Sequence, residues 1–198
     1  VNTSSVLIRP GGQTGLSVIL NRGADRAILT YPGLIAALTA ADVTDGLLGQ
    51  ARHLHVASYF LQTALQSGLP DLFARAHALG LTTSLDPNWD PSGKWHGFDE
   101  LLRQVDVFLP NENEALAVSG TLSVDAALNA LRQKCRTVAL KLGAQGALAC
   151  RGEETAHVSA LKLKVVDTIG AGDTFDAGFL YGGLNGWSLE KTLLLAAA

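Results

Sequence analysis

Residues 165–179 read VVDTIGAGDTFDAGF. An apolar, strand-like run stops at Asp167, passes through Gly170 and Gly172, and continues as a helix-forming segment, TFDAGFLYGGLNG. The two glycines let the backbone approach a bound group closely and take conformations closed to other residues. A helix that begins near Ala171 leaves its first amide N–H groups without partners inside the helix. Those groups carry a partial positive charge of roughly +0.5, which makes an anion hole suited to phosphate oxygens. Asp173 falls in the first helical turn, where that end attracts a negative charge by roughly 0.3–1 kcal/mol. A carboxylate beside a phosphate site reads as a general base for a hydroxyl, help worth roughly 10²–10⁴-fold in rate. Taken alone, the glycine spacing also fits an ordinary strand-to-helix turn that begins with an aspartate.

Working outward, strand-like and helix-like segments alternate from about residue 53 onward. HLHVASY (53–59), LTTSLD (81–86), VDVFLP (105–110), TVALKLG (137–143), GALAC (146–150) and LKLKVVD (161–167) read as strands. LQTALQSGLPDLFARAHALG (61–80), NENEALAVSG (111–120) and SVDAALNALRQKC (123–135) read as helices, with Gly80 and Gly120 as C-caps and Ser123 as an N-cap. This alternation predicts a mainly parallel sheet covered on both faces, a three-layer α/β/α sandwich. TVALKLGAQGALAC looks like a hairpin attached to it. A second hairpin is expected where TGLSVIL and RAILTY flank NRGAD. One domain over residues 1–198 is the economical division, with the 13–31 region placed either on a lid side or at a sheet edge.

Bulk composition narrows the function. The chain of 198 residues is 47% apolar and 17% charged, enough for one buried core. A net charge of −3 leaves no basic footprint for nucleic acid. No apolar run reaches the roughly 18 residues of a membrane helix. The two cysteines, Cys135 and Cys150, lie too far apart to suggest a metal or disulfide framework, and idle thiols in a reducing cytoplasm are expected. His53 and His55, two apart in a strand, are expected as edge or core histidines rather than as a zinc pair. The chain begins at Val1, contains no Met, and still reads as helix at its last residues. A piece of a longer protein is therefore expected.

In an open parallel sheet, ligands bind beyond the C-terminal strand ends. Three polar or glycine-rich loops leave strands at that edge: DPNWDP (86–91), PNENE (110–114) and DTIGAGD (167–173). A fourth, KLGAQG (141–146), joins two strands. Each also has a plain structural reading. Asn111 with Glu114 makes a helix capping box, Gly143 and Gly146 are hairpin-turn glycines, Asp86 and Asn88 are turn formers, and Trp89 and Trp95 are packing residues.

DTIGAGDTF, in order with NENE, KLGAQGA and DPNWDPSGKW, resembles the signatures of the ribokinase-like (PfkB-type) carbohydrate kinase family. The likeness runs over nearly the whole chain, which would lack the family's N-terminal third and its C-terminal end. The resemblance implies that Asp173 is the catalytic base and that the amides of Gly170, Ala171 and Gly172 hold the transferring phosphoryl group. ATP would be bound by Asn111, Glu114, Lys141, Gly143, Gly146 and Thr168. Mg²⁺ would be served by Asn111 and Glu114 through ordered water. A monovalent cation such as K⁺ would sit at Asp167 and the carbonyl of Ile169. Ser58, Tyr59 and Asn88 would meet a sugar from the strand ends. A cytoplasmic enzyme, with a homodimer as its assembly, completes the expectation.

One departure bears on the acceptor. Asp90 stands where the family often has an arginine, and an aspartate would repel an acidic sugar that an arginine would clamp; Lys94 could partly substitute. The alternatives to a sugar kinase are a nucleoside or vitamin-precursor kinase of the same fold and a non-catalytic ligand-binding or regulatory homologue.

Overall fold

Four short segments rich in β-branched and apolar residues end at polar or glycine-rich loops, and they pair as a parallel sheet. The computed structural model describes residues 2–22, 25–95, 97–165 and 168–198. In it β3 (His53–Val56), β4 (Thr82–Leu85), β5 (Val107–Phe108) and β6 (Thr137–Lys141) run parallel. The sheet continues antiparallel through β7 (Ala147–Arg151) and β8 (Glu154–Val158), in the order β3-β4-β5-β6-β7-β8. The β6–β7 pair is the expected hairpin, closed by a 3₁₀ turn over Gly143–Gln145.

Alternation along the strands divides the core in two. On one face Val56, Leu85, Phe108, Val138 and Leu140 pack with side chains of six helices. These are α1 (Asp45–Leu48), α2 (Thr63–Gln66), α3 (Leu69–Ala78), α4 (Phe98–Leu102), α5 (Glu112–Ser119) and α6 (Val124–Leu131). On the other face Leu109, Ala139, Ala147 and Ala149 pack under Phe175, Phe179, Leu189 and Leu193. Those four come from α7 (Ala171–Leu184) and α8 (Leu189–Ala196). Each buried Leu or Phe contributes roughly 1.5–3 kcal/mol of apolar transfer, so both faces are held. The α/β layering is as the alternation predicted. Among the described residues no helix is long and apolar enough to cross a membrane.

The early hairpin forms from β1 (Leu16–Arg22) and β2 (Asp25–Tyr31), paired from Leu16 with Tyr31 to Arg22 with Asp25. It is a separate two-stranded sheet. Leu16, Val18, Leu20, Leu29 and Tyr31 on one of its faces are exposed.

Several boundaries differ from expectation. The strand expected over 53–59 ends at Val56, because Ser58 takes a left-handed conformation (φ 54°) and starts a 3₁₀ turn. The single helix expected over 61–80 is two, α2 and α3. Pro70 lacks an N–H and its ring clashes with a preceding turn, so it is accommodated in the first turn of α3. Residues 161–165, expected as strand, are not strand, and Leu161, Leu163 and Val165 are exposed. The outer strand is instead β8, which follows the tight turn at Gly152 (φ 58°). Its polar-apolar alternation, ETAHV, suits an edge strand with one covered face.

His53 and His55 project from the same face of β3, as their spacing requires. His53 Nε2 and His55 Nδ1 each lie 2.7 Å from Ser84 Oγ, and His53 Nδ1 lies 2.7 Å from Thr82 Oγ1. Burial pushes both imidazoles below their ordinary value, His53 to about 4.

Candidate active site

Because β3 to β6 are parallel, their C-terminal ends share one edge, and a cleft of about 380 Å³ opens there. The loop after β4 supplies Asp86 and Asn88, the start of α5 supplies Asn111 and Glu114, and β6 ends in Lys141. The turn into α7 supplies Thr168, Ile169 and Gly170, followed by Gly172 and Asp173 on the helix itself. Ile19 and Ile28, from the inner face of the hairpin, close over the same space. Another cavity, of about 330 Å³, lies at the opposite end of the strands against His53, Asp106, Arg136 and Arg151, and contains none of the motif residues.

The glycine-rich turn behaves as its chemistry dictates. Gly170 is the N-cap of α7 at φ 76°, a left-handed conformation that favours glycine. Thr174 N and Thr174 Oγ1 both donate to the Gly170 carbonyl at 2.9 Å. The Ala171 N–H closes the turn on the Thr168 carbonyl at 3.3 Å. Among the described residues no backbone acceptor meets the amides of Gly172 and Asp173. The Asp173 side chain is exposed to the cleft, and among the described residues it makes no hydrogen bond or ion pair.

Asn111 and Glu114 form the capping box: the Asn111 N–H donates to Glu114 Oε2 at 2.9 Å and the Glu114 N–H to Asn111 Oδ1 at 3.0 Å. Burial, with Glu114 only 3% exposed, raises its carboxyl above the usual range, and the Asn111 amide offsets only part of that. Lys141 Nζ lies 2.9 Å from Asp86 Oδ2 and 3.1 Å from Asp176 Oδ1. Burial works to lower the lysine, but the two carboxylates outweigh it and hold it above its ordinary value. Burial likewise opposes ionisation of Asp86, where the adjacent ammonium prevails and its carboxyl lies low. At Asp176 burial prevails and raises the carboxyl to about 8.

The remaining expected residues fall elsewhere. Ser58 and Asn88 (φ 55°) are both left-handed, and Asn88 Nδ2 donates to Ser58 Oγ at 3.4 Å, so these two loops meet; Asn88 lines the cleft and Ser58 does not. Tyr59, 8% exposed, packs edge-on against Phe60 and Phe98 in the core and does not line the cleft. Gly143 and Gly146 shape the β6–β7 turn outside the cleft lining. Asp167 lies outside the described residues. Asp90 does not face a ligand: it is 4% exposed and accepts from the amides of Ser92, Lys94 and Trp95 and from the Ser92 hydroxyl. The repulsion expected of it is therefore turned into its own loop. Trp95 packs edge-on against Phe60 and Trp89, as expected of packing residues.

Sequence reasoning overlooked Asp176 and gave Asp86 only a turn role. A signal was present. Asp176 sits between Phe175 and Phe179, on the turn of α7 that faces the core, and a charge there demands a buried partner. Lys141, ending the otherwise apolar strand TVALK, is that partner. Among the described residues no three His, Cys, Asp or Glu side chains converge to hold a metal ion by themselves.

A helix-covered sheet with these motifs at its strand ends, in this order, is the architecture of a ribokinase-like α/β protein. Comparison with known proteins agrees, and the chain belongs to the pfkB family of carbohydrate kinases, which matches residues 1–198. An uncharacterized sugar kinase of Archaeoglobus fulgidus is 28% identical, over 96% of this chain and 76% of its own length. A ribokinase of Staphylococcus aureus is 30% identical, over 91% of this chain and 60% of its own. The crystal structure of adenosine kinase from Sinorhizobium meliloti superposes with a TM-score of 0.86 at 32% identity, over 94% of this chain and 60% of that one. The chain thus spans about three fifths to three quarters of the length of these relatives.

Proposed function

We propose that the full-length protein is an ATP-dependent kinase that moves the γ-phosphate to a hydroxyl of a sugar or sugar-like alcohol. The observation that carries this reading is the carboxylate of Asp173, without a partner among the described residues, at the open amide end of α7, in one cleft with Lys141, Asn111 and Glu114. Asp173 takes the proton of the acceptor hydroxyl as its oxygen forms a bond to the γ-phosphorus and the bond to the departing ADP oxygen breaks. The amide end built by Gly170, Ala171 and Gly172 receives the transferring phosphoryl oxygens. With the Ala171 N–H engaged by Thr168, Gly172 and Asp173 supply the open donors. Lys141, Thr168 and the turn at Gly143 form the nucleotide side, and Asn88 with Ser58 the acceptor side.

Mg²⁺, when bound, neutralises phosphate charge. Glu114 and Asn111 suit it through water, because their capping box fixes both side chains at the cleft edge. The Ile169 carbonyl, with Asp167, is the proposed seat of a monovalent cation. Ile19 and Ile28 act as a lid that excludes water from the reacting groups. The buried thiols of Cys135 and Cys150 suit a reducing cytoplasm.

A second reading, a nucleoside acceptor, is favoured by the likeness to an adenosine kinase at 32% identity. The test is ATP consumption by the full-length protein over a panel of sugars and nucleosides, with Asp173→Asn alongside. Loss of a general base predicts a kcat roughly 10²–10⁴-fold lower in the variant. Turnover of no acceptor, or a variant as fast as the parent, removes the kinase reading. ATP binding without turnover would favour a non-catalytic homologue.

A further inference from the structure

The cleft floor holds three ionisable side chains that act as a set. Lys141 Nζ meets Asp86 Oδ2 at 2.9 Å and Asp176 Oδ1 and Oδ2 at 3.1 and 3.5 Å. All three are withdrawn from water, with side chains 14%, 13% and 2% exposed. A buried carboxylate without a partner is costly, and among the described residues Lys141 is the cation that Asp176 meets. An ammonium has three donors, and the two carboxylates engage two of them. Among the described residues the third has no partner, and the position of a Cβ on Gly172, in the first turn of α7, would be 3.8 Å from Nζ. Asp176 sits one helical turn beyond Asp173, so β4, β6 and α7 are tied together directly beneath the base.

We propose that Asp176 and Asp86 are positioning residues that hold the Lys141 ammonium under the amide end of α7, with one N–H aimed at the transferring phosphoryl group. The inference rests on the kinase reading and adds that Asp176 acts on the phosphate only through Lys141. The charge count is consistent. One ammonium neutralises one carboxylate, and burial favours the protonated form of the other, Asp176. The set then presents no net negative charge to an incoming phosphate, and Asp176 serves as an oxygen that fixes Nζ rather than as an anion.

The test is a double-mutant cycle in the full-length protein. Lys141→Met should lower kcat roughly 10²–10³-fold, the effect of removing one donor to developing charge. Asp176→Ala should lower it about tenfold or more, by letting the ammonium drift, and the double variant should be no slower than Lys141→Met alone. The acceptor KM should stay within about threefold of the parent, since the interaction is made in the transition state. Asp176→Asn, which keeps the oxygen without the charge, should restore most of the rate. Asp176→Leu replaces alanine if the hole it leaves prevents folding, as judged by circular dichroism. Calorimetric binding of ADP with aluminium fluoride should weaken in the same non-additive pattern, while ADP alone is little changed. A parent that turns over no acceptor but shows this binding pattern refutes the kinase reading and supports the triad. Parent-like kcat and parent-like aluminium fluoride binding in Asp176→Ala, or losses that multiply in the double variant, overturn the inference.

Discussion

Replacing Gly146 by alanine separates two accounts of the KLGAQG loop (141–146), a hairpin turn and a nucleotide contact. Gly146 has φ 96° and ψ −129°, angles that a residue with a Cβ rarely takes. Holding alanine there costs about 1–3 kcal/mol. The added Cβ would lie 1.9 Å from the Val158 carbonyl oxygen, 2.6 Å from Ala160 N and 2.8 Å from Ser159 C. All three are backbone atoms of the chain leaving β8, so no side chain can swing aside, and overpacking of this kind adds about 1–3 kcal/mol. The sum, about 2–6 kcal/mol, is a large share of the 5–15 kcal/mol that typically separates folded from unfolded chains. Gly143 is the control. It is also left-handed (φ 56°), yet a Cβ there would meet nothing within 4 Å, so alanine should cost only about 1–2 kcal/mol. Urea unfolding of the full-length protein, followed by circular dichroism, measures both. A Gly146→Ala variant that unfolds with the parent but binds ATP more weakly would refute this packing account and return the glycine to the nucleotide.

Two further outcomes follow from the geometry. Asp90→Ala removes the acceptor shared by the Ser92, Lys94 and Trp95 amides; it should cost about 1–3 kcal/mol and shift tryptophan emission to the red as Trp95 leaves Phe60, and unchanged emission and melting temperature would contradict it. His53 takes up its proton at an ordinary value of 6.5 when unfolded but only near 4 when folded. Between those values the unfolded chain binds more protons, so stability should fall as pH drops from about 6.5 to 4. His53→Gln should flatten that part of the decline in urea midpoints, and equal slopes for parent and variant would exclude His53 as its source.

Much of this molecule can be read from neighbours along the chain. The turn at Gly170, the helix that starts at Ala171, the capping box of Asn111 with Glu114 and the alternation that makes the sheet parallel are all decided within a few residues, by sterics and local hydrogen bonds. So is the likeness to carbohydrate kinases, which rests on contiguous motifs. Local preference failed where a distant surface chose the outcome. LKLKV reads as strand as well as ETAHV does, yet β7 pairs with the latter. Tyr59 reads as a strand-end contact, yet the packing of Phe60 and Phe98 draws it inward. The ion triad lay furthest from sequence reading. Lys141 meets Asp86 across 55 residues and Asp176 across 35, and a buried charge reveals its partner only once the chain has folded and excluded the water that would otherwise solvate both.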